Sequence, residues 1–447
     1  MRPLRLLFLF LCALTPGRAQ DPSTAPPDPP TEKWNLFYQA TSIGQYHPSF
    51  PSLYEGANSL PSHAEADVSL TTTFFLGYRI ARNTLFFFDP EIAGGRGFGG
   101  TLGMANFPNG EITRVATATP KPYIARLFIT QDFGFGDEKE AVASDENQLG
   151  GTRPATRLSI TAGRFSATDY FDDNRYSHDP RTQFTGWAIM YNGAWDYPAD
   201  SRGYTWGLVT EFHTKRWSLR YGGVAEPKVA NGLRFDRRIF VNHGQVFEGE
   251  LDGKVHGRDG AVRFLTYFNR ANAGNYAQAI AQATQTNTTP DITATRKNGT
   301  LKYGFGISAD QQLSQNFGVF LRLGWNDGKT ETFAFTPVDR LASGGISCNG
   351  AKWGRKDDTA GTALTVAGIS GVHALYLQRG GLDFLIGDGN LTYAPEIVWE
   401  TYYNARLFSG FFAGLDLQHV NNPAYNQDRG PLWVYSLRLH MEFAVKK

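Results

Sequence analysis

The chain has 447 residues, with 43 Lys and Arg against 42 Asp and Glu, for a formal net charge of +1. That balance carries no electrostatic footprint for nucleic acid. Aromatic residues make up 14 % of the chain and glycines number 49, a richness that suits interfacial girdles, tight turns and close strand approach.

Residues 1–19 read as an export signal. Arg2 and Arg5 form a basic start, Leu6 to Leu14 an apolar run, and Gly17 and Ala19 place small residues at a cleavage site. Lipoprotein processing at Cys12 is the alternative, with Leu11 before it too large for a good site. The run is too short for a spanning helix, and no apolar run of about 18 residues follows it. An α-helical inner-membrane protein is therefore excluded, leaving periplasm, secretion or outer membrane. Loss of the leader leaves Cys348 as the one cysteine, so no intramolecular disulfide is expected. Residues 20–33 are Pro-rich and polar and read as a flexible N-terminus. Residues 34–447 read as a single domain without a linker.

From there the pattern has a period of two, the signature of strands. Leu158, Ile160 and Ala162 alternate with polar neighbours, as do Trp217, Leu219 and Tyr221. Val262, Phe264, Thr266 and Phe268 repeat the pattern, followed by Leu301, Tyr303, Phe305 and Ile307. Phe317, Val319, Leu321, Leu323 and Trp325 follow, then Ile397, Trp399, Tyr403 and Leu407, then Ala413, Leu415 and Leu417. The clearest segment is the last: Trp433, Tyr435, Leu437, Leu439, Met441 and Phe443 on one face, Ser436, Arg438, His440 and Glu442 on the other. A soluble sandwich also alternates. Here, however, the inner face carries charges that a dry core excludes, and the apolar face ends in aromatics as membrane girdles do. The segments are also long enough to cross a bilayer when tilted. The expected fold is all-β: a transmembrane antiparallel β-barrel of 16 strands, with 18 as the alternative, since the number must be even. Connections at 214–216, 314–316 and 408–410 are short, whereas those at 94–119, 166–183, 270–299 and 378–390 are long. The short ones are expected on the periplasmic side and the long ones outside.

The inner-face charges are the candidate pore-lining groups. Among them are Arg126, Asp132, Arg157, Glu211, Arg220 and Arg263, and further along Arg322, Glu400, Arg406, Asp416 and Arg438. Mixed signs supply many donors and acceptors without a strong field, which suits neutral polyols; a ring of Arg and Lys alone would suit anions. Each of these groups could equally be a solvated or paired wall residue. The connection 168–183 adds Asp169, Asp172 and Asp173, with His178, Arg181 and the aromatics Tyr170, Phe171 and Tyr176. Three roles are open to it: an inward fold that narrows the pore, a latch against the wall, or a Ca²⁺ loop, although it lacks the ligand order of an EF-hand. A G-x-G-x-x-G match at Gly95–Gly100 lacks the βαβ context that would give it meaning, the nine histidines show no zinc spacing, and no G-x-S-x-G nucleophile motif is present. No cofactor, no metal and no enzyme activity are expected.

Residues 163–207 resemble the bacterial carbohydrate-selective porins of the OprB type. The resemblance rests on Gly163-Arg164-Phe165, on Asp169, Phe171, Asp172 and Asn174, and on the return Asp179, Gln183 and Phe184. The ending is similar too, with Gln418, Asn422-Pro423-Ala424-Tyr425, Gly430-Pro431 and Leu437-Arg438-Leu439. Ala444 to Lys447 depart from the pattern by following the terminal aromatic Phe443. The resemblance implies an outer-membrane barrel that passes sugars by diffusion, with lipid around it and Arg164 among the pore-lining candidates. A general or organic-acid porin is the competing reading. Family members suggest a monomer, while trimeric porins share this composition.

Overall fold

A computed structural model describes residues 30–112 and 119–446. The export signal and most of the Pro-rich segment lie outside the described residues. Sixteen strands close into one antiparallel barrel, each paired with its neighbours in chain order. They are β1 (Trp34–His47), β2 (Glu65–Ala81), β3 (Thr84–Gly95) and β4 (Lys121–Gly134), then β7 (Arg157–Phe165), β8 (Thr205–His213), β9 (Trp217–Ala225) and β10 (His243–Val255). The ring continues through β11 (Arg258–Ala273), β12 (Lys297–Gln312), β13 (Phe317–Asn326) and β14 (Arg340–Gly350) to β15 (Arg355–Gly368), β16 (Glu396–Phe408), β17 (Phe411–Asn421) and β18 (Leu432–Lys446). The barrel closes where β1 pairs with β18, with Gln45 opposite Ser436. Closure removes both sheet edges, which is how strands satisfy every backbone group in lipid.

Facing follows the alternation of the sequence. On β18, Trp433, Tyr435, Leu437 and Leu439 are exposed outward, while Val434, Ser436, Arg438 and His440 are buried inside. Outward aromatics from neighbouring strands meet, as where Trp399 and His419 both pack on Trp433. No helix among the described residues is long and apolar enough to cross a membrane.

Connections at one end are short: 82–83, 214–216, 256–257, 313–316, 351–354 and 409–410. This is the periplasmic end by the usual asymmetry of such barrels. One connection there breaks the rule. Residues 135–156 form an insertion carrying its own two-stranded hairpin, β5 (Lys139–Val142) and β6 (Gly151–Pro154). At the other end every connection is long, and two carry helices of eight residues or more, Tyr276–Thr286 and Gly371–Gln378.

The lumen is not evenly wet. The outer connections fold into it and build a core of their own, in which Phe98, Phe107, Trp195, Tyr276 and Tyr425 are buried. Expected inner-face charges such as Arg322, Glu400 and Arg438 are consequently buried under loops. Sequence periodicity reports which way a wall residue points, but not what later covers it.

Candidate pore constriction

The connection 166–204 enters the lumen directly after β7. It begins with a single 3-10 turn, Ala167–Asp169, in which the Ser166 N–H donates to Asp169 Oδ2 at 2.9 Å. That turn aims the Asp169 carboxylate at Arg126 on the inner face of β4. The guanidinium donates through Nε and Nη2 to the two carboxylate oxygens at 2.7 and 2.6 Å, a two-pronged geometry that fixes both groups. Arg126 also lies 3.5 Å from buried Asp89 and sits over the Tyr204 ring at 5.4 Å.

A second pair stands nearby. Arg181 Nε donates to Glu111 Oε1 at 2.8 Å, and its Nη2 lies 3.7 Å from Glu91 on β3. Glu111 comes from the connection that follows β3 and also accepts from the Thr71 hydroxyl. Glu91 in turn accepts from Thr73 at 2.6 Å and from the Tyr123 and Tyr204 hydroxyls. Burial pushes the Glu111 carboxyl up, against the opposing pull of Arg181 and Thr71. Burial also raises Asp179, but Arg181 and the Thr182 hydroxyl outweigh it and leave that group low.

Two cavities abut at this place. The outer one, about 390 Å³, is walled by Tyr123, Trp187, Tyr191, Tyr197, Tyr204 and Phe335 among others. The inner one, about 500 Å³, carries Asp132, Arg157 and Glu211 in its wall. Five residues line both: Arg126, Glu146, Asp169, His178 and Arg181. They mark the neck. Glu146 belongs to the periplasmic insertion, so the neck is built from both ends of the barrel. Burial raises the Glu146 carboxyl to about 7. Its neighbour Asn147 donates to Asp89 Oδ2 at 3.0 Å.

Of the sequence candidates, Arg126, Asp132, Arg157, Asp169 and Glu211 line these cavities. Others hold the loop. Asp172, only 2 % exposed, receives Arg322 Nε at 3.1 Å and the Asn192 N–H at 2.7 Å, while the Asp172 N–H donates to Glu248 at 2.7 Å. Arg322 further donates to Ser177 Oγ at 3.0 Å and to the Ile189 carbonyl at 2.8 Å. Glu400, next to Asp416 on the adjoining strand, accepts from the Thr185 and Gly186 N–H groups at 2.5 and 3.0 Å. Arg438 donates to the Pro180 and Gln183 carbonyls, both at 2.7 Å. Arg164 is tied to Asp200 at 2.7 Å. A third group forms a ladder along the wall: Arg220 bonds Glu211, Glu248 and Glu250, and Arg263 bonds Glu250 and Asp310. Asp173, with a 59 % exposed side chain, lies 3.9 Å from Arg263. Arg406 pairs with Asp357 at 3.1 Å near the short turns, far along the chain from the neck. Of the three roles open to this loop, two have a counterpart in its contacts: Asp172 ties it to the wall through Arg322, and Asp169 stands where the two cavities meet.

Sequence reading passed over Glu91, Glu111, Tyr123, Glu146 and Tyr204. For Glu91 a signal existed: Phe87, Asp89 and Glu91 share the inner face of β3, but Pro90 and a register shift obscure the alternation.

A closed sixteen-strand barrel with a loop-narrowed lumen between two polar cavities defines an outer-membrane porin. The chain matches the model of the carbohydrate-selective porin, OprB family, over residues 65–443, and it belongs to that family. It is a passive, carbohydrate-selective channel, and its family is one of channels rather than enzymes. No curated protein matches the chain. Among solved structures, the high-pH structure of Pseudomonas putida OprB is similar at 16 % identity, with a TM-score of 0.68 over 92 % of this chain and 94 % of that one. The low-pH structure of the same protein is similar at 13 % identity, with a TM-score of 0.48 over 92 % and 93 %.

Proposed function

We propose that selection among sugars occurs at the neck, and that the preferred solute is a single sugar ring. The observation that carries this is the pair of opposed ion pairs, Arg126 with Asp169 and Arg181 with Glu111, facing one passage. Each pair cancels its own charge yet presents spare donors and acceptors. A hydroxyl-rich neutral solute can exchange its water for these groups one at a time. The aromatic wall of the outer cavity offers flat apolar faces to the apolar face of a sugar ring. The volume of that cavity, about 390 Å³, falls near the lower end of the roughly 300–1,000 Å³ of small-molecule pockets. A small ring is therefore favoured over a chain of sugars. The neck is complete within one chain, so a lone barrel suffices for passage.

The test is influx into liposomes carrying purified protein. Hexoses should enter faster than disaccharides and faster than amino acids of similar size. Arg181→Gln together with Asp169→Asn should erase that preference while the channel stays open. Equal entry of hexoses and size-matched amino acids through the unaltered protein would leave a general porin. A sugar preference unchanged in the double variant would move selection away from the neck.

A further inference from the structure

The outward wall differs around its circumference. On β10, β11 and β12, outward residues align in register. Gln245, Phe268 and Tyr303 form one row, with Phe247, Thr266 and Phe305 below it. Trp325 packs on Phe305 at 5.4 Å and extends this aromatic band. Such bands sit at the boundary between hydrocarbon and headgroups. The next row outward is His243, Arg270 and Leu301, so Arg270 stands at headgroup level. Lys297 follows further out, at the head of β12.

The connection 226–242 lies beside this row. The Gly299 N–H donates to Asn242 Oδ1 at 2.9 Å, and Asn242 Nδ2 donates to Asn298 Oδ1 at 3.1 Å. This stretch exposes Lys228, Arg234 and Arg237 together with Ile239, Phe240 and Val241; Phe240 is 91 % exposed. Of the nearby carboxylates, Asp236 is engaged by Arg238 at 2.6 Å and Glu331 by Arg296 at 3.0 Å, while Glu226 is buried away from the surface at 1 % exposure. Among the described residues, no carboxylate pairs with Lys228, Arg234, Arg237, Arg270 or Lys297. On another sector, the row Trp399, His419 and Trp433 and the flanking Ile397 and Asn421 carry no Lys or Arg.

Five unmatched cations beside a bare apolar run fit an amphiphile. Water alone would leave Phe240 and Ile239 unsatisfied. A soluble anion would satisfy the cations but not these side chains. A second copy meeting the patch face to face would set like charge against like charge. We propose that this sector binds an acylated, phosphorylated glycolipid of the outer leaflet. Its phosphates would lie on Lys228, Arg234, Arg237 and Arg270, and its chains against Phe240, Val241 and the aromatic band. Binding of this kind strengthens with each basic residue near the lipid surface and weakens with salt.

The experiment is native mass spectrometry of the detergent-purified full chain mixed with bisphosphorylated lipid A or with its dephosphorylated form. The variants are Lys228→Gln, Arg234→Gln, Arg237→Gln and Arg270→Gln combined, and as control Lys139→Gln with Lys215→Gln at the periplasmic end. Only material that migrates as a folded barrel is scored. The unaltered protein and the control should retain the phosphorylated lipid, with retention falling about tenfold or more in the quadruple variant. Equal retention by the quadruple variant, or equal retention of the dephosphorylated lipid, overturns the proposal. A patch-dependent dimer seen without lipid overturns it in favour of a second copy. Sugar influx should be the same in all variants, which keeps this result separate from the reading of the neck.

Discussion

The loop 166–204 and the insertion 135–156 enter one lumen from opposite ends, and they are held there by different chemistry. The loop is anchored by buried charge: Asp172 on Arg322, its backbone on Glu400 and Arg438. The insertion is tied down mostly by hydrogen bonds to the first two strands and the residues just before them, beside an ion pair to the wall, Arg157 with the part-exposed Glu140 at 2.9 Å. Glu32 and Gly150 exchange backbone contact at 3.0 Å and a carboxylate bond at 2.8 Å, and Asn35 Nδ2 reaches the Gln148 carbonyl at 2.8 Å and Ser144 Oγ at 3.0 Å. Arg79 adds a bond to the Gly150 carbonyl at 3.2 Å. Removing one partner of a buried ion pair strands a charge, whereas removing a neutral, part-buried hydrogen bond costs less and lets water in. The outer half of the neck should therefore be rigid and the inner half soft.

The largest effect should come from Arg322→Met. It leaves Asp172 buried without its cation, at a cost of about 3–5 kcal/mol, read by denaturant unfolding in lipid vesicles. A cost no greater than that of altering Glu32 would erase the contrast between the two ends. Leu437→Arg, on the lipid side, should cost about 2–4 kcal/mol near the midplane without changing conductance, which separates the frame from its filling. Its neighbour Arg438→Leu should change the channel itself: it frees two carbonyls of the loop, so open-channel current should become larger and noisier. Glu32→Ala with Asn35→Ala should cost only about 1 kcal/mol per hydrogen bond. It should make residues 135–156 a protease site while the loop stays protected, and equal cleavage of both regions would count against the assigned anchors.

The smallest effect concerns pH. The Glu146 carboxyl titrates near 7, because burial opposes its charge while Arg181 and Arg126 partly restore it and Asp179 and Asp145 work against it. Its value is raised above the unfolded one. Any stability it contributes is thus present below pH ~4.5 and is lost as pH rises through about 7. Across that upper range the neck gains a negative charge. Reversal potentials in a salt gradient should shift toward cation preference between about pH 6 and 8. In Glu146→Gln that part of the shift should vanish.

The frame was legible because lipid and lumen impose opposite demands on alternate residues. The register of 432–443 could be read directly, and sixteen strands close the ring. The filling was less legible, for a physical reason that Asp172 and Asp173 illustrate. They are adjacent and chemically identical, yet one is 2 % exposed and the other has a 59 % exposed side chain. A left-handed backbone at Asp172, φ 59°, turns its carboxylate toward the wall, and no local pattern announces that turn. The insertion escaped notice for a related reason. Its strands are four residues each, too short to display a period.

The anchors of the loop have a consequence for the order in which the channel matures. Asp172 waits for a partner 150 residues later, Thr185 for one 215 later, and the Pro180 carbonyl for one 258 later. None can be satisfied until β13, β16 and β18 stand in the wall. Contacts this distant form late, after the chain between them has been ordered. A barrel caught early in assembly should accordingly be a wide, indifferent hole. Current recorded while the protein refolds into a planar bilayer should begin high and step down as the loop seats, so that discrimination is the last property the molecule acquires.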